Sequence, residues 1–134
     1  MWNIADLNWL AILVATVAGF AIGGVWYGPL FGKAWMDALG KKPEDLTPSA
    51  QPYIISFVTA LITALVLALL INALGITGAV DGLLIGLAVG VGFIATAMAS
   101  DSAFCGWSLN LFLIQAGYRV TYSMVMGVIL AVWR

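Results

Sequence analysis

The stretch YIISFVTALITALVLALLINAL, from Tyr53 to Leu74, contains no charged residue, no proline and no glycine. A run of about 20 apolar residues crosses the ~30 Å hydrocarbon core of a bilayer as a helix rising ~1.5 Å per residue. Lipid offers no partner to a bare backbone, and the run lacks the alternation of a barrel strand, so its pattern predicts a membrane-spanning helix. Three further runs of this character lie outward from it, at residues 8–27, 79–100 and 109–133. The chain therefore reads as an all-α polytopic membrane protein. Residues 1–134 form one domain of four transmembrane helices, with spans at about 8–27, 53–74, 79–100 and 109–133.

Composition leads to the same place. The chain is 63% hydrophobic and 8% charged, against about 45–50% and about 25% in soluble domains. A small soluble protein needs a mostly polar surface, and five basic plus six acidic residues cannot supply one. The lipid bilayer is the expected solvent and partner. A net charge of −1 leaves no basic stripe, so no nucleic acid is expected as a partner. The absence of histidine removes the commonest general base and the commonest metal ligand. With Cys105 as the single cysteine, no internal disulfide or cysteine-based metal site can form, and the residue reads as a small packed hydrophobe. No metal, cofactor or catalytic residue is assigned. The stretch before Asn8 carries Asp6 and no basic residue, so the run that follows is expected to stay as an anchor rather than act as a signal peptide.

Aromatic rings mark the span ends: Trp9 and Trp26 bracket the first, Trp107 and Trp133 the fourth, and Tyr27 and Tyr53 sit at others. Residues 75–78 are too few for anything but a tight turn, with Thr77, Gly78 and Asp81 as turn and cap material, so spans two and three are expected to form an antiparallel hairpin. The one long loop runs from Gly28 to Pro52. Gly28-Pro29 should stop the first helix. Phe31, Trp35 and Leu39 then share a face, with Lys33 and Asp37 on another, which predicts a short interfacial helix ended by Gly40. Lys41, Lys42, Glu44 and Asp45 read as a solvated turn, and Ser49 as the N-cap of the second span with Pro52 in its first turn. Lys33, Lys41 and Lys42 against Arg134 alone place the long loop in the cytoplasm and both termini outside.

Helices already in lipid gain little from hydrophobicity when they associate, so small residues that allow close approach mark the packing faces. Gly82, Gly86 and Gly90 recur every four residues on the third span; Gly19 with Gly23, and Gly24 with Gly28, do so on the first. These crossings can lie within one chain or between copies, and a homo-oligomer is expected. Polar faces mark candidate interior or ligand-facing positions: Ser56, Thr59 and Thr63 on the second span, and Gln115, Arg119, Tyr122 and Ser123 on the fourth. Arg119 stands ten residues past Leu109, or ~15 Å along the helix. A mid-span arginine costs about 2.5–3.5 kcal/mol on insertion scales, which makes it the principal candidate. Three roles stay open: a structural pair with Asp101 or backbone carbonyls, contact with an anion or lipid headgroup, or a snorkelling side chain.

Two motifs carry a family resemblance. Trp26-Tyr27-Gly28-Pro29-Leu30-Phe31-Gly32-Lys33-Ala34-Trp35 follows a first span beginning Asn8-Trp9-Leu10, and Phe112-Leu113-Ile114-Gln115-Ala116-Gly117-Tyr118-Arg119 precedes Met126-Gly127-Val128-Ile129-Leu130 and the closing Trp133-Arg134. Together they resemble the domain-of-unknown-function family 1761 over nearly the whole chain. The resemblance implies a small four-span protein of a bacterial cytoplasmic membrane and supplies no activity. Small multidrug-resistance transporters are of similar size but depend on a carboxylate in the first span, and residues 9–27 hold none, which disfavours proton-coupled cation export. The expected function is an oligomeric transporter or channel for a small neutral or anionic solute whose identity stays unread. The alternative is a non-transporting scaffold, assembly or lipid-binding subunit. An enzyme is not expected, because Ser123 and Tyr122 beside Arg119 form no nucleophile–base pair.

Overall fold

In the computed structural model, which describes residues 3–45 and 47–133, α-helices dominate and no strand occurs among the described residues. Four helices are long and apolar enough to cross a membrane: Trp9–Leu30, Gln51–Leu74, Ala79–Cys105 and Leu109–Val132. The first is α1 (Trp9–Val25), capped by the Asn8 side chain accepting from the Ala11 N–H at 3.1 Å, and it continues through a π-helical turn, Trp26–Leu30. Gly28 leaves helical geometry there, at φ −104° and ψ −107°, so Gly28-Pro29 kinks the chain where a stop was expected. The short helix α2 (Gly32–Leu39) follows and ends at Gly40, whose φ of 70° suits a residue without Cβ. Phe31, Trp35 and Leu39 are half-buried while Lys33 and Asp37 are exposed, the division the sequence predicts.

The second span is α3 (Gln51–Leu74). Its formal cap is Ala50; the Ser49 hydroxyl accepts from the Gln51 N–H at 3.2 Å, just outside the position assigned to it. The third span joins α4 (Ala79–Val89), a π-helical turn (Gly90–Ala95) and α5 (Thr96–Cys105). It runs past the expected end at Ser100, because polar Ser100, Asp101 and Ser102 do not break a helix and the first stop is Gly106, at φ 72°. Cys105 is exposed at this end rather than packed. The fourth span, α6 (Leu109–Val132), starts with the Ser108 hydroxyl accepting from the Leu111 N–H at 3.2 Å. Arg134, the counterweight in the charge argument, lies outside the described residues.

The bundle is organised around α6, which packs on α1, α3 and most extensively on α4. The short link between α3 and α4 does not produce the expected packed hairpin: those two helices scarcely touch. The reason is the glycine face of α4, which lies on α6. A Cβ at Gly86 would fall 2.8 Å from Met124 Cα, and one at Gly90 would fall 2.9 Å from Val120 Cα. Backbone approach of this kind replaces the hydrophobic drive that lipid removes. Gly19 and Gly23 instead admit side chains, since a Cβ at Gly23 would stand 2.9 Å from the Tyr118 hydroxyl and one at Gly19 would meet Met126. Gly24 and Gly28 face open space and make no crossing.

Burial is uneven along the spans. Ile12, Thr16, Leu67, Ile71, Ser123 and Met126 are fully enclosed, all in the half of the bundle nearer the chain termini. At the other end, where α1 finishes and α3 begins, no residue of 20–30, 51–59 or 91–105 is buried. The terminal half holds most of the core around a cleft lined by Leu7, Asn8, Ala11, Ala68, Asn72 and Leu130, while at the loop end Leu111 and Ala116 of α6 are buried.

Candidate functional site

Arg119 sits mid-span on α6, half-buried at the edge of the core. Helical spacing puts it on one stripe with Tyr122, Ser123, Met126 and Leu130, all buried, so it belongs to the inward face of α6 rather than to the outer one. Tyr118 and Tyr122 on one flank pack against α1, and Val120 and Ser123 on the other against α4. Arg119 projects between the two flanks and is half-buried.

Its contacts are aromatic. One guanidinium nitrogen donates to the Tyr122 hydroxyl at 3.3 Å. The guanidinium carbon lies 5.4 Å from the Tyr118 ring centroid and 5.7 Å from that of Tyr122, within cation–π range. Tyr118 is held in turn: its hydroxyl donates to the Gly19 carbonyl at 3.0 Å, and its ring meets Tyr122 edge-on at 4.9 Å and Tyr27 at 5.4 Å. Tyr27 then meets Trp35 of α2 at 4.9 Å. A continuous row of rings thus leads from α2 at the loop end, through Tyr27 and Tyr118, to Arg119. Beside it, Trp26 donates its indole N–H to the Ile114 carbonyl at 2.8 Å, tying the kinked turn to α6. The Trp35 indole N–H is buried without an acceptor among the described residues.

The other candidates are placed as follows. Gln115 is half-buried one turn before Arg119 on the same stripe. Ser123 is buried, and its hydroxyl donates to the Arg119 carbonyl at 2.8 Å, leaving it committed to its own helix. Asp101 is exposed on α5; the polar partner of Arg119 is Tyr122, so the structural Arg119–Asp101 pair is not made within the chain. Thr59 is exposed and Thr63 half-buried, and neither joins the cluster. Their hydroxyls donate to the Ser56 and Thr59 carbonyls at 3.0 and 2.8 Å, so the helix itself satisfies them without an interior partner. Gly82, Gly86 and Gly90, with Gly19 and Gly23, seat α4 and α1 on α6 and so fix the stripe that carries Arg119. No group of three histidine, cysteine or acidic residues is placed to hold a metal among the described residues.

Reading the sequence for anchors missed Tyr118, Tyr27 and Trp35 as members of this cluster. A signal was present: the large residues Tyr118, Tyr122 and Met126 recur every four positions on α6, the same interval as Gly19 and Gly23 on α1. Matched large and small rows of equal pitch interlock.

The family described as Protein of unknown function (DUF1761) matches residues 10–131. No curated protein and no solved structure matches the chain. The family match covers both motifs around the cluster, the Trp26–Trp35 turn and the Phe112–Arg119 stretch, and on that extent this four-span chain belongs to the DUF1761 family.

Proposed function

We propose that this membrane protein is a transporter subunit that holds a small anionic solute at Arg119, working as a homo-oligomer in a bacterial cytoplasmic membrane and catalysing no covalent chemistry. One observation carries the reading: a half-buried mid-span guanidinium has no carboxylate beside it among the described residues, and the side chain it donates to is the Tyr122 hydroxyl. Arginine offers five N–H donors and accepts nothing, so its complement is an oxyanion. Binding near the midplane is the placement that alternating access uses. Four spans in one chain leave little room for a path, which favours movement of the solute at an interface between copies. A second reading, a non-transporting lipid-binding subunit, draws support from α2, whose apolar face is docked at the loop end. Anion flux in proteoliposomes tests both. Flux by the wild type that disappears in Arg119→Gln supports transport. Absence of flux, together with Arg119-dependent stabilisation by anionic lipid, replaces it with the second reading.

A further inference from the structure

We infer that the anion held at Arg119 is an apolar organic monocarboxylate, an inference that rests on the anion-binding reading above and specifies its ligand. Charge count is the first argument. Arg119 is the sole basic residue within the four spans, and Lys33, Lys41 and Lys42 stand exposed in the long loop. A single guanidinium balances one negative charge. A dianion such as hydrogen phosphate would carry a second, uncompensated charge into a low-dielectric layer, where it is heavily penalised. Shape is the second argument. The planar fork of arginine matches a carboxylate in two parallel hydrogen bonds, and the Tyr122 hydroxyl, which accepts from Arg119, keeps its own proton free to donate.

The walls supply the third argument. The charge is flanked by the rings of Tyr118 and Tyr122, with Tyr27 behind. A hydrated inorganic ion reaching Arg119 would shed water and receive the faces of aromatic rings in return. A carboxylate on an aromatic or aliphatic body exchanges its own apolar surface for that of the protein, so its transfer is favourable everywhere except at the charge, where Arg119 waits.

The test uses the purified full chain in detergent, with benzoate, acetate, inorganic phosphate, chloride and neutral benzamide compared at equal ionic strength by thermal unfolding. Benzoate should stabilise the wild type at the lowest concentration, acetate should need about tenfold more, and phosphate, chloride and benzamide should be inert. Arg119→Gln should abolish the benzoate shift. Arg119→Lys, which keeps the charge, should weaken benzoate about tenfold through loss of the planar fork, and it serves if the glutamine variant does not fold. Equal, Arg119-dependent stabilisation by phosphate or chloride would overturn this inference and leave anion binding standing. No Arg119-dependent shift from any anion would overturn both.

Discussion

Gly82 of α4 and Gly127 of α6 lie face to face: a Cβ added to either residue would strike the carbonyl oxygen of the other. The contact is reciprocal and backbone to backbone, so no side chain can rotate away to make room. Gly86 repeats it one turn on, against the Ser123 carbonyl and Met124 Cα. This seam locks the third span to α6 and fixes the rotation of the helix that carries Arg119.

Leucine at position 86 should therefore be far more damaging than leucine two residues on. Gly86 is buried in the seam while Ala88 is exposed. Overpacking against side chains costs about 1–3 kcal/mol, and a backbone obstacle should reach or pass the upper end of that range. Thermal unfolding of Gly86→Leu and Ala88→Leu in the same detergent measures the difference. Equal midpoints would contradict the seam.

Arg119 and Asp101 should behave independently. In the chain one donates to Tyr122 and the other is exposed on α5. Distant sites add to within about 0.5 kcal/mol, so Arg119→Leu and Asp101→Asn should sum in the double variant. Arg119→Leu gives up a cation–π contact worth about 0.5–2 kcal/mol but also relieves an insertion cost of about 2.5–3.5 kcal/mol. Its stability should hold level or rise. A coupling energy above about 1 kcal/mol from the four-protein cycle would show that the two charges meet after all, as they could between copies.

Two tryptophans at the kinked end should respond differently to the same change. The Trp26 indole donates to the Ile114 carbonyl at 2.8 Å, whereas the buried Trp35 N–H has no acceptor among the described residues. Replacing each by phenylalanine removes similar ring surface, so the hydrogen bond decides the difference. A satisfied bond contributes about 0.5–1.5 kcal/mol, while an unsatisfied buried donor costs about 1–3 kcal/mol. Trp26→Phe should lower the unfolding midpoint more than Trp35→Phe, and the reverse order would mean that Trp35 finds an acceptor in the membrane.

Sidedness can be read with thiol reagents that do not cross the bilayer. The long loop and the α5–α6 turn both follow an odd-numbered span, so Cys105 and a cysteine at position 42 should label from one face, and Asn3→Cys from the other when Cys105 is alanine. By the Lys count of the long loop, the first face should be the cytoplasmic one. Labelling of positions 42 and 105 from opposite faces would break the four-span topology itself.

What the sequence determined by itself is what the bilayer dictates locally. Hydrocarbon thickness sets span length, and the need to satisfy every backbone group sets helix, so the run from Tyr53 to Leu74 needed no tertiary information to be read. Turn chemistry was equally local: Gly40 ends α2, and the apolar face of that helix was visible in Phe31, Trp35 and Leu39. Partner choice was not local. Apolar helices in lipid have no hydrophobic preference for one another, so only shape and a few polar contacts decide which faces meet. That is why Gly82–Gly90 received α6 rather than α3, why Gly24 and Gly28 received nothing, and why Thr59 and Thr63 could turn outward once their own helix satisfied them. The same rule placed Arg119 among tyrosines. Its depth was fixed by its number in the chain, but its neighbours were fixed by the interlock of Tyr118, Tyr122 and Met126 with Gly19 and Gly23.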